Sequence, residues 1–75
     1  MKFLFMQFKH APEIVYIAKA DTLDSPATYI HCPAGMDNYR NITIKSEMRI
    51  DSSSWIYKLY DSLEELMEAH LVDLL

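Results

Sequence analysis

The chain has 75 residues, one cysteine, a net charge of −4 and a hydrophobic content of 51%. That length makes residues 1–75 a single small domain, and that apolar content excludes a disordered chain. One cysteine excludes an internal disulfide and implies a reduced thiol in a cytoplasmic setting, and no apolar run is long enough to span a membrane.

Residues 2–8, KFLFMQF, are apolar on both alternating sets. Phe3 and Phe5 point one way and Leu4, Met6 and Phe8 the other, which predicts a strand buried on two faces. The stretch reads as a strand rather than a signal peptide. Pro12 then breaks the pattern, and residues 14–20, IVYIAKA, form a second strand after a short connection. Residues 21–27, DTLDSPA, have loop composition. TYIHC, 28–32, is strand-like, and CPAG after it suits a type I turn with Pro33 second and Gly35 fourth. Asn41-Ile42-Thr43 matches a glycosylation sequon, which without a secretion signal is a chance match.

Residues 42–50, ITIKSEMRI, alternate: Ile42, Ile44, Ser46, Met48 and Ile50 on one face, Thr43, Lys45, Glu47 and Arg49 on the other. This predicts a half-solvated antiparallel strand. DSSS is a turn, and 55–60, WIYKLY, is a further aromatic strand. Ser62 and Glu65 then form a capping box. After it Leu63, Leu66, Met67, His70, Leu71 and Leu74 fall at helical spacing as one apolar stripe. The expected fold is α+β: an antiparallel sheet of four or five strands, with one C-terminal amphipathic helix packed on one face.

From Asp61 onward there are five acids and no Lys or Arg, while the preceding residues carry seven basic and six acidic side chains. Basic residues are scattered among acids, so direct nucleic-acid binding is not expected. His31 and Cys32 are neighbours on a strand and point to opposite faces, so they do not readily share a metal. A zinc site would need His10, His31 or Cys32, and His70 to converge. No C-x-x-C pair, phosphate-cradling glycine loop or nucleophile motif is present, so the chain is read as having no cofactor, no metal and no enzymatic activity. Cys32 is expected to be a small buried apolar residue, His31 a surface residue at a strand end, and His70 a core-edge residue with one hydrogen bond.

What remains is surface. One helix covers one face of a small sheet, so the other face should expose aromatic and aliphatic groups, with Trp55 and Tyr57 as anchors. On the helix, Glu64, Glu65, Glu68, Val72 and Leu75 lie opposite the stripe and could dock on a basic protein surface. These features predict a small acidic protein-binding module acting by contact. In size, acidity and lack of catalytic motif it resembles small phage-encoded proteins that bind and inhibit host enzymes. That analogy of type implies an inhibitor or regulator of a larger enzyme or complex. The alternatives are a homodimeric structural or accessory subunit, a DNA mimic built on the acidic helix, and a metal or thiol site at residues 28–40.

Overall fold

The computed structural model describes residues 1–45 and 53–74. In chain order the strands are β1 (Lys2–Phe8), β2 (Val15–Ala20), β3 (Ser25–Pro26), β4 (Thr28–His31), β5 (Thr43–Ile44) and β6 (Trp55–Tyr60), followed by the helix α1 (Leu63–Leu74). The central sheet is antiparallel with order β4-β2-β1-β6, and β3 and β5 form a separate two-stranded pair. The fold is α+β, as the pattern of the sequence requires.

The central strand β1 is buried on both faces because each face has its own core. Phe3 and Phe5 join Val15, Ile17, Tyr60 and Leu66 on the helix side. Leu4 and Met6 join Tyr16, Ala18, Ala20, Ala27, Met36 and Ile44 on the other. The registers Phe5↔Ile17 and Phe5↔Lys58, Met6↔Tyr16 and Met6↔Tyr57 fix this division. The buried Gln7 amide donates to the Pro12 carbonyl at 2.9 Å, which ties down the β1–β2 connection. Lys2 bridges to Asp61 and joins the start of β1 to the end of β6. That ammonium, by hydrogen bond first and by charge second, holds the Asp61 carboxyl below the usual carboxylate range.

The face away from the helix is covered over part of its area, more than the expected bare aromatic face, while Tyr57 stays exposed on it. The segments 21–27 and 32–45, on either side of β4, fold back over it. The Asp24 and Ala27 amides donate to the Ile44 and Ile42 carbonyls at 2.6 and 2.7 Å, and Pro26, which has no N–H, sits between these donors. Asp24 adopts φ 67°, a left-handed turn position that aspartate tolerates. Ala18, Ala20 and Ala27 present only methyl groups, so the backbone can approach the sheet closely, and Ile44 is fully buried in the gap. The accessible surface is 5046 Å², against about 4,800 Å² for a compact monomer of this mass.

The strand expected over 42–50 is described only at its start. Thr43–Ile44 pairs with Ser25–Pro26 rather than with the central sheet, and residues 46–50 lie outside the described residues. In the turn that follows β4, the Met36 amide donates to the Pro33 carbonyl at 3.2 Å. The turn thus spans 33–36, one residue later than CPAG suggests. Gly35 has φ +90°, which suits the third position of a type II turn rather than the fourth of a type I turn.

β4 is an edge strand with all four residues exposed. Its register with β2 shifts between Ile17↔His31 and Ala18↔Tyr29, so Ile30 is an extra residue in the strand, a β-bulge.

The start of α1 follows the sequence signal: the Glu65 amide donates to Ser62 Oγ at 3.1 Å. The expected stripe does not hold as a unit. Leu66 is fully buried, but Leu63 and Met67 are 38% and 39% exposed. The burial on this first turn and a half centres on Leu66 alone, and the backbone leaves helical geometry at His70 (φ −124°, ψ 17°), so a projection at a uniform angle per residue does not carry beyond it. The His70 ring lies flat on Phe5, centroids 3.6 Å apart, and its Nε2 is hydrogen-bonded to the Tyr60 hydroxyl at 2.6 Å. This is the core-edge placement expected for it. The side chains of Leu71, Val72 and Leu74, and all of Leu75, lie outside the described residues.

Candidate functional site

The polar stretch 28–40 is organised by contacts within the fold. His31 is exposed at the end of β4. Cys32 is half-buried against the core beneath the sheet, and its Sγ donates to the Met36 carbonyl at 3.3 Å. Asp37–Tyr39 form one turn of 3-10 helix. Arg40 Nε donates to Asp37 Oδ1 at 2.9 Å and its Nη1 to the Tyr29 hydroxyl at 3.2 Å, with the guanidinium 5.2 Å from the Tyr29 ring centre. Arg40 thus fastens the turn to the edge strand. Among the described residues no group of three His, Cys, Asp or Glu side chains is placed to hold a metal ion.

Beneath this stretch Tyr16 is fully buried and its hydroxyl donates to the Tyr39 carbonyl. Burial, with a smaller contribution from the nearby Cys32 charge, pushes the Tyr16 phenol up to about 12. The folded state binds that proton more tightly than the unfolded chain, where it leaves near pH 10. The associated stability is therefore complete below pH 10 and is lost as pH rises from 10 through 12. Two units correspond to at most about 3 kcal/mol. Denaturant titrations should show the wild-type midpoint falling steeply across that window. Tyr16→Phe should start about 1 kcal/mol lower at neutral pH, for the lost hydrogen bond, and fall less steeply. Parallel alkaline curves for the two proteins would disprove the assignment.

Two surfaces have the character of a contact site. The first is a pocket of about 250 Å³ lined by Phe8, Ile14, Ala34, Gly35, Met36 and Trp55. Trp55 comes from the start of β6 and Phe8 from the end of β1, paired in register with ring centres 5.2 Å apart. Ile14 arrives from the β1–β2 connection. The 33–36 turn supplies the other side, and the space beside Gly35 is open, with nothing within 4 Å of where a Cβ would stand. Sequence reasoning singled out Trp55 as an anchor but not its neighbours as a pocket; they come from two other parts of the chain, 8–14 and 34–36, and share no periodic signal. Tyr57, the other expected anchor, lies on the same face opposite Met6 and is exposed.

The second surface is the outer side of α1. Glu64, Glu65 and Glu68 are exposed, as expected, and none has a cation partner among the described residues. The apolar groups beside them are Leu63 and Met67, which the sequence placed on the buried stripe. The side chain of Val72 and all of Leu75, the apolar members expected here, are among the residues not described. No helix among the described residues is long and apolar enough to cross a membrane. No family model, curated protein or solved structure matches the chain.

Proposed function

We propose that the protein is a small cytoplasmic binding module that acts by contact, inhibiting or regulating a larger enzyme or complex. The observation that carries this reading is the solvent-open apolar pocket beside Trp55. At about 250 Å³ it is smaller than the roughly 300–1,000 Å³ of typical small-molecule sites. It is large enough for one bulky side chain. Its lining carries no ionisable group, so it offers desolvation and shape rather than proton transfer. Pockets of this kind, with an aromatic wall, are where a few partner residues concentrate binding energy.

Affinity purification from the native host with wild-type protein and Ala34→Glu tests this. Ala34 is exposed on the pocket rim, in a turn position open to most residues. The variant should fold normally while placing a carboxylate over the pocket. The wild type is expected to retain a protein partner and Ala34→Glu to lose it by about tenfold or more, the effect of a hot-spot contact. Retention of the same partner by both proteins overturns the pocket's role. Recovery of nothing but a second copy of the chain replaces this reading with a homodimeric accessory subunit.

A further inference from the structure

The helix side of the molecule carries a surface that the Trp55 pocket does not use. Leu63 and Met67 stand four residues apart on α1, as do Glu64 and Glu68, so each pair forms a ridge along the helix. The two ridges lie side by side, about a quarter-turn apart. Leu66, one residue before Met67, anchors the helix in the core, so the ridges are held on a fixed element while facing solvent. α1 has no basic residue in its last turn. The two described ion pairs, Lys2–Asp61 and Arg40–Asp37, leave Glu64, Glu65 and Glu68 uncompensated.

That charge pattern selects the occupant. A second copy docking by a two-fold axis would set Glu64 and Glu68 against the same carboxylates of its partner, which is repulsive. A nucleic-acid phosphate backbone is repelled for the same reason. A purely basic surface would leave Leu63 and Met67 in water. A protein segment that carries an apolar ridge beside a basic one satisfies both, with methionine able to adapt its shape to the incoming side chains. We propose that the outer side of α1, through Leu63, Met67, Glu64 and Glu68, docks an amphipathic basic helix of a partner protein. The carboxylates accelerate encounter, and the apolar ridge sets the lifetime of the complex. This surface is on the opposite face of the sheet from the Trp55 pocket, so it stands whether or not that pocket binds anything.

The test uses the full chain, labelled with nitrogen-15, and two synthetic peptides of identical Leu and Lys composition. One peptide is patterned as an amphipathic helix and the other is scrambled. The patterned peptide is expected to shift the amides of residues 63–68 at a Kd no weaker than about 1 mM, and to bind more weakly as salt rises. The double variant Glu64→Gln, Glu68→Gln should lose about tenfold in affinity and most of the salt dependence. Leu63→Ser with Met67→Ser should abolish binding while the unfolding midpoint stays near wild type. Ala34→Glu should bind the peptide as the wild type does, which separates this surface from the pocket. Equal binding of the scrambled peptide overturns the proposal in favour of a non-specific charge effect. So do shifts confined to the Trp55 pocket, or no shifts at all. Concentration-dependent shifts of the same amides without peptide overturn it in favour of self-association.

Discussion

Replacing Leu66 by alanine is expected to destabilise the fold by about 2–5 kcal/mol, whereas Met67→Ala should change stability by no more than about 0.5 kcal/mol. The two residues are adjacent and both fit an apolar helical stripe. Leu66 is fully buried between Phe3, Phe5 and Tyr60, while Met67 keeps 39% of its surface in solvent. A domain of this length has a total stability of about 4–11 kcal/mol, so the loss at Leu66 is a large fraction of the whole. Urea unfolding followed by far-ultraviolet circular dichroism reads both variants. Similar midpoints for Leu66→Ala and Met67→Ala would mean that α1 lies on the sheet by a different face.

Ile44→Ala should cost a similar amount, about 2–5 kcal/mol. Ile44 is fully buried among Leu4, Met6 and Tyr16 and closes the core beneath the sheet. Its neighbour Ile42 is only half-buried against the same core, and Ile42→Ala should cost clearly less. The companion experiment adds volume instead of removing it. Ala27 is buried in the core between segment and sheet, and Ala27→Leu should destabilise by about 1–3 kcal/mol through overpacking. If Ile44→Ala and Ala27→Leu both leave the midpoint unchanged, the segments on either side of β4 do not pack against that face.

The parts of the fold that were legible in the sequence are those where a local period carries the information. Alternation assigned Phe3 and Phe5 to one face and Leu4 and Met6 to the other, and the structure places them so. Ser62 and Glu65 marked the start of α1 through a bond between residues three apart. The fold-back of the segments on either side of β4 was not legible, because a two-residue strand such as Ser25–Pro26 is too short to show a period. Its best signal was the recurrence of alanine at 18, 20 and 27, which reads as unremarkable until the close approach of two layers is known. The Pro33–Met36 turn was shifted by one residue because turn composition does not reveal which position takes the left-handed φ of Gly35. The exposed carboxylates Glu64, Glu65 and Glu68 were legible as surface. The Trp55 pocket was not, since it exists only after β1, β6 and the 33–36 turn have converged.

The extra residue Ile30 has a consequence for how this protein keeps company with itself. An open strand edge is a template on which further chains can add, and exposed Tyr29 and Ile30 would reward such growth. The bulge bends β4 and breaks the even row of donors and acceptors that an incoming strand would need. Arg40, held over Tyr29 and paired with Asp37, places a charged, hydrated group against the same edge. Among the described residues the sheet ends there at β4, and the bulge disfavours its extension by a further strand from another copy.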